Sequence, residues 1–146
     1  MGIPQFIPSS YRSYAVDFDG DRKRDLTDIE DAVGSVANFL KQHGWKRDEQ
    51  IVGEVKLDGS MYAWLENNGP EPRISIQHLS NYGILPVQRI DARQLAALIV
   101  FEGETAPIHR LGYNNFYVIT RYNRSKNYSM AVVELSEMLH KLYYGE

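Results

Sequence analysis

From Ile29 onward the apolar residues Ile29, Ala32, Val33, Val36, Ala37 and Leu40 recur at the i, i+3, i+4, i+7 spacing of one helix face, which predicts an amphipathic helix. Thr27 with Glu30 three residues later is a capping-box signature, Asp28 and Asp31 suit the positive first turn, and Gly44 suits the stop. A second helix, begun near Ser125, is predicted by Tyr128, Ala131, Val132, Leu135, Leu139 and Leu142. The run Phe116 to Tyr122 ahead of it is aromatic and β-branched and reads as strand-like.

Between these helices the pattern changes. Ile51 to Leu57 and Met61 to Glu66 are β-type runs flanking Asp58-Gly59-Ser60, a hairpin turn by composition. Ser75 to Tyr82 before Gly83 reads as a short helix, while Ala92 to Leu98 fits a helix and Leu98 to Phe101 equally fits a strand. The opening Gly2 to Tyr14 carries two prolines around an apolar core, with Ser9 or Ser10 available to cap a short helix through Tyr14. Apolar residues beginning at Ile3 are expected of a chain cut from something longer.

A length of 146 residues allows about one domain, and 43% hydrophobic with 24% charged residues excludes disorder. The net charge of −3 lacks the basic excess of a nucleic-acid binder. The absence of cysteine removes disulfides, thiolate metal sites and Cys nucleophiles together. His43, His78, His109 and His140 show no metal-ligand spacing, and His43 and His140 sit where a helix C-terminus simply favours His. The longest apolar stretch, Leu95 to Phe101, is too short for a membrane span.

The segment Asp17-Phe-Asp-Gly-Asp-Arg-Lys-Arg-Asp-Leu-Thr-Asp places carboxylates at loop positions 1, 3, 5, 9 and 12 directly before a helix, the ladder of an EF-hand. Calcium requires several hard oxygens, and alternate residues of a curling loop point them inward. The expected ligands are Asp17, Asp19, Asp21, the Lys23 carbonyl and Asp28, with Asp31 a second candidate for closure. Arg22 stands where the sharp turn normally takes Gly, Gly20 is displaced to position 4, and the last ligand is Asp rather than Glu. The alternative is a solvated Asp-rich turn neutralised by Arg22, Lys23 and Arg24.

Ten tyrosines, several beside Asn or Gln, suit a surface that stacks on sugar rings and bonds their hydroxyls. The densest groups are Tyr113 to Tyr117 and Arg121 to Ser125, where half-buried core aromatics with polar caps are the plainer reading.

Three segments together resemble the membrane-bound lytic murein transglycosylase B family: Gly2-Ile-Pro-Gln-Phe-Ile-Pro-Ser-Ser-Tyr, then Tyr14-Ala-Val-Asp-Phe-Asp-Gly-Asp leading to Ser35-Val-Ala-Asn-Phe-Leu-Lys-Gln-His-Gly-Trp45, then Asn115-Phe-Tyr-Val-Ile-Thr-Arg-Tyr-Asn-Arg-Ser125. The resemblance implies an α+β chain. Residues 1–50 would be part of a lysozyme-like, mainly helical core carrying an EF-hand-like calcium loop at 17–31. Residues 51–112 would form a small inserted α/β lobe, and 113–146 would return to the core with a C-terminal helix.

The implied activity is cleavage of the β-1,4 bond between N-acetylmuramic acid and N-acetylglucosamine in peptidoglycan without water, leaving a 1,6-anhydromuramic end. One Glu acts first as general acid and then as base. The family's Glu lies upstream of the Gly-x-x-Gln-Phe segment, so no catalytic residue is expected here; Glu30, Glu54, Glu66, Glu102 and Glu104 lack its surrounding motif. By resemblance Gln5, Tyr122, Asn123 and Tyr128 line the glycan, the location is periplasmic, and any outer-membrane anchor lies in a segment absent here. An uncovered face on the Ile29 to Leu40 helix would favour self-association. The competing readings are a calcium-stabilised carbohydrate-binding module without catalysis, and a calcium-dependent interaction domain that does not bind glycan.

Overall fold

The computed structural model describes residues 1–145 and divides the chain into two compact units, Met1–Trp45 and Lys46 to the C-terminus. No helix among the described residues is long and apolar enough to cross a membrane.

The first unit has two helices, α1 (Pro8–Tyr14) and α2 (Ile29–Gln42). Pro8 opens α1, where its missing N–H costs nothing, and the N-cap is Ile7 with no side-chain bond; neither Ser9 nor Ser10 caps it. On α2 the cap is Asp28, whose carboxylate accepts the N–H groups of Glu30 and Asp31, so the expected Thr27–Glu30 capping box does not form. Thr27 instead donates to Asp25. Gly44, at φ +93°, ends the helix as the sequence predicts.

The packed face of α2 differs from the apolar stripe: Ile29 and Val33 are 69% and 63% exposed, while Asp31, Ala32, Gly34, Ser35 and Phe39 are buried. Phe39 meets Phe6 and Tyr14 in an aromatic cluster, with Tyr14 and Phe39 ring centroids 4.8 Å apart and His43 stacked on Phe39 at 3.9 Å. Gly34 is required by space, because a Cβ there would stand 2.7 Å from the Cβ of Phe18.

The second unit is built on β1 (Val52–Leu57), β2 (Ile74–Ser75), β3 (Ile84–Pro86), β4 (Leu95–Phe101) and β5 (Ile108–Gly112), in antiparallel order β2-β4-β5-β1-β3. The Ala92 to Phe101 ambiguity resolves as strand: β4 pairs Leu98 with Leu111 and has Ala96, Ala97, Leu98 and Ile99 buried, which is why it lacks alternation. The predicted hairpin across Asp58-Gly59-Ser60 is absent. Met61–Leu65 is a 3₁₀ helix, and β1 finds its partners in β3 and β5 instead. Ser75 caps α3 (Ile76–Ser80), the short helix expected there. Leu65, Ile76, Leu79, Ile84, Ala96, Leu98, Leu111 and Tyr113 form the core.

The run Phe116 to Tyr122 is helical, within α4 (Asn114–Tyr122), not a strand. Its apolar residues fall on one side of the turn, burying Phe116, Val118 and Ile119. Asn115 is buried with them. Its Oδ1 accepts Lys46 N–H at 2.9 Å and its Nδ2 donates to the Lys46 carbonyl at 2.6 Å, tying the segment before β1 to α4. The helix expected to begin near Ser125 is α5 (Lys126–Tyr144), and Ser125 caps it. Only Ser129 and Val133 are buried on that helix, so the stripe Val132, Leu135, Leu139 and Leu142 faces outward.

Candidate functional site

Acidic residues in the first unit form two groups able to hold a metal ion, Asp17, Asp19 and Asp21, and Asp19, Asp28 and Asp31; within each, ligand oxygens lie within 4.8 Å of one another. Asp19 belongs to both. The loop is shaped by its own carboxylates, each turned back onto a backbone N–H a few residues on. Asp17 accepts Gly20 at 2.7 Å and Arg22 at 2.8 Å, Asp19 accepts Asp21 at 2.9 Å, and Asp21 accepts Lys23 at 2.7 Å.

Arg22 has φ +72° and Gly20 φ +82°, so the left-handed turn that Gly normally supplies at position 6 is made by Arg. Asp25, at position 9, turns to the N–H and hydroxyl of Thr27, at 2.9 and 2.6 Å. Those bonds hold its carboxyl below the ordinary carboxylate range. Asp28 belongs to one acidic group while capping α2.

Asp31 is the anchor that spacing alone does not reveal. Buried at the start of α2, it accepts Phe18 N–H at 2.7 Å and Asp25 N–H at 2.8 Å on separate oxygens. These bonds, the one from Phe18 foremost, hold its carboxyl below the ordinary range. Asp19 stands the other way: the Asp21 N–H favours its charged form, but burial and the charges of Asp21 and Asp31 outweigh that and push it up. A cation between these groups would relieve the repulsion, and the donor set of hard carboxylate oxygens suits calcium rather than a softer metal.

The anchoring continues along α2. Ser35 accepts Val16 N–H at 3.0 Å and Asn38 donates to the Tyr14 carbonyl at 2.9 Å. Residues 31, 35 and 38 thus make a polar stripe at helical spacing that clamps the chain entering the loop, a signal present in the sequence as polar residues at i, i+4 and i+7.

Tyr122, Asn123 and Tyr128 are brought together at the α4–α5 junction. The two rings lie nearly parallel, 14° apart in plane with centroids 6.5 Å apart. Asn123 ends α4 and its Oδ1 accepts Ser125 N–H at 3.0 Å. Burial, with the nearby Tyr128, pushes the Tyr122 hydroxyl up. Gln5 belongs to the first unit, where it adopts φ +56°, is exposed, and donates from Nε2 to the Gly2 carbonyl at 2.7 Å. Of the glutamates, Glu66 is taken by His109, Oε1 to Nε2 at 2.7 Å, with the Tyr62 ring against the imidazole.

The chain is 42% identical over 137 residues to membrane-bound lytic murein transglycosylase B of Escherichia coli, covering 94% of this chain and 37% of that protein. Its fold superposes with a TM-score of 0.84 on the Escherichia coli lytic transglycosylase Slt35 in complex with calcium, at 42% identity, over 94% of this chain and 43% of that one. A TM-score of 0.75 and 35% identity relate it to SltB3 from Pseudomonas aeruginosa in complex with NAG-NAM-pentapeptide, over 90% of this chain and 36% of that one. The chain therefore spans less than half the length of these relatives. The family description "Transglycosylase SLT domain" matches residues 1–137, and the chain belongs to that lytic transglycosylase family.

Proposed function

We propose that this chain forms the glycan-holding part of a peptidoglycan lytic transglycosylase, one that cleaves the MurNAc-GlcNAc β-1,4 bond to leave 1,6-anhydromuramic ends. The observation that carries the reading is the Tyr122, Asn123 and Tyr128 group at the α4–α5 junction, two near-parallel rings beside an amide, suited to stacking on and bonding to a sugar. SltB3, a member of the same family, was solved with NAG-NAM-pentapeptide. Gln5, whose amide donates to the Gly2 carbonyl within the first unit, is a separate candidate for glycan binding.

No residue here is assigned as the general acid; among the described residues Glu66 is held by His109. The chain alone therefore binds glycan without cutting it. The domain organisation that goes with this is a core segment over 1–50, an inserted lobe over 51–112 built on the five-stranded sheet, and a return to the core over 113–146.

Calcium is held, on this reading, by Asp17, Asp19, Asp21, the Lys23 carbonyl, Asp28 and Asp31. It fixes the loop ahead of α2 and takes no part in proton transfer. The left-handed Arg22 and the calcium-bound relative support this. The cellular site is the periplasm. The exposed apolar faces of α2 and α5 favour self-association.

Mass spectrometry of products released from purified sacculi, with calcium and with chelator, tests the catalytic assignment. Binding without 1,6-anhydromuropeptides is expected; their appearance would place the acid within these residues. Titration of a muramic acid oligosaccharide into the parent chain and Tyr122→Ala tests the cleft. Unchanged affinity would remove Tyr122 from it, and no glycan binding by the parent would leave the calcium-dependent interaction domain as the better reading.

A further inference from the structure

Two rings on different helices are held nearly parallel across a short connection. Tyr122 ends α4 and Tyr128 lies in the first turn of α5, yet their planes differ by 14° with centroids 6.5 Å apart. The two carriers are anchored unequally. α4 buries Asn115, Phe116, Val118, Ile119 and Thr120, so Tyr122 stands on a fixed base. α5 buries only Ser129 and Val133 along its 19 residues, so packing does little to set the direction of its first turn.

Ser125 is where the local bonds meet. Its N–H donates to Asn123 Oδ1 at 3.0 Å, reaching back to the end of α4. Its Oγ accepts the Tyr128 N–H at 3.2 Å, and its carbonyl accepts the N–H and the hydroxyl of buried Ser129, at 3.0 and 3.1 Å. Lys126 adds a tie from the same turn, donating to the Val100 carbonyl of β4, but through a long and exposed side chain whose freedom must be lost to make it. A helix cap needs just the Oγ bond. The bond back to Asn123 goes beyond this and fixes the angle at which α5 leaves α4.

We infer that Ser125 is a positioning residue for glycan recognition, acting through Tyr128 by holding that ring parallel to Tyr122 without itself contacting the sugar. The inference rests on the glycan reading above. Rings that are out of line cannot both face one sugar, so apparent affinity falls with the fraction of molecules in which they are aligned.

Two readouts on the whole chain test it: nuclear Overhauser contacts between the Tyr122 and Tyr128 rings without ligand, and calorimetric titration with a peptide-free muramic acid oligosaccharide well below the melting temperature. Ser125→Ala is expected to weaken the ring contacts and to lower affinity about fivefold, the loss produced when the aligned arrangement drops to about a fifth of the population. Ser125→Asp keeps an oxygen for the Tyr128 N–H and should restore both. Asn115→Ala loses more stability, through its bonds to Lys46, and should leave both unchanged, which separates misalignment from destabilisation. In a Tyr128→Ala background, Ser125→Ala should lower affinity no further.

Unchanged ring contacts and affinity in Ser125→Ala, with Tyr122→Ala still weakening the binding, overturn the inference and leave the glycan reading intact. Equal losses in Ser125→Ala and Asn115→Ala would reduce Ser125 to an ordinary cap, and a further loss in the Tyr128→Ala background would make it a sugar contact; either result overturns the positioning role. A parent chain that binds no oligosaccharide while its rings stay in contact sinks the glycan reading and takes the role of Ser125 in recognition with it.

Discussion

Asp31 and Phe18 are thirteen positions apart, yet the carboxylate of one accepts the backbone N–H of the other at 2.7 Å, while its second oxygen accepts Asp25 at 2.8 Å. One buried side chain thereby closes the acidic loop across its mouth, using the first turn of α2 as a fixed platform. The loop's carboxylates are thus held by its own backbone, which would lower the ordering cost of taking a cation.

Asp31 and Asp17 should consequently behave differently on substitution. Asp31→Ala is expected to lower the melting temperature in chelator as well as in calcium, because it orphans the N–H groups of Phe18 and Asp25 whether or not a metal is bound. Asp17→Ala should lower it mainly in calcium, where binding adds RT ln(1 + [L]/Kd) to stability. Differential scanning calorimetry separates them, and equal melting temperatures of the parent chain in calcium and chelator would sink the metal assignment.

Acid should act through the same carboxylate. Asp31 has a folded pKa below its ordinary 3.8, so its contribution is present above that ordinary value and is lost as pH falls through the lower, folded one. In chelator, melting temperature followed downward from pH 5 should fall more steeply in the parent than in Asp31→Asn. Parallel curves would show that the bonds to Phe18 and Asp25 do not favour the ionised form.

The contact between Gly34 and Phe18 sets a steric prediction. Gly34→Ala puts a Cβ 2.7 Å from that of Phe18, a clash a helix and a bonded loop cannot both relax, and should cost about 1–3 kcal/mol. Phe18→Gly removes the opposing atom. Chemical denaturation of both single variants and the double variant should show the two effects failing to add, and additivity would mean the loop shifts freely.

In the second unit, Asn115→Ala leaves the Lys46 N–H and carbonyl without their partner and should cost about 2 kcal/mol or more. Ser125→Ala, which removes the bond from Tyr128 N–H, should cost about 1 kcal/mol. Urea unfolding followed by circular dichroism checks both. A smaller loss for Asn115→Ala than for Ser125→Ala would show that the segment before β1 finds other partners.

How much of this was legible in advance varied with the range of the interaction. The α2 and α5 helices, the Gly44 stop and the Ser125 cap follow from residues within a turn of one another. The acidic loop was legible for the same reason, and the left-handed Arg22 shows that a residue of the wrong type can be forced into the turn when carboxylates on both sides hold its neighbours. The neighbourhood of Tyr122 and Tyr128 stands out in the sequence by its aromatic and amide residues, and Tyr128 lies in the helix expected there, whereas Tyr122 lies in a helix where the sequence reads as strand-like.

The misreadings share one cause. Met61 to Glu66 has strand-like composition but lies beyond the turn of a hairpin that never closes, because β1 is paired with β3 and β5 on its two sides. Phe116 to Tyr122 is β-branched and aromatic yet helical, because burial of Phe116, Val118 and Ile119 outweighs the small propensity differences involved. The sequence by itself determined the ends of α2 and α5 and the turns of the acidic loop, because caps, stops and closely spaced carboxylates are written in neighbouring positions. Only the tertiary structure decided which face of α2 is buried and which strands pair. Those outcomes depend on residues far apart in the chain competing for the same space and the same hydrogen bonds.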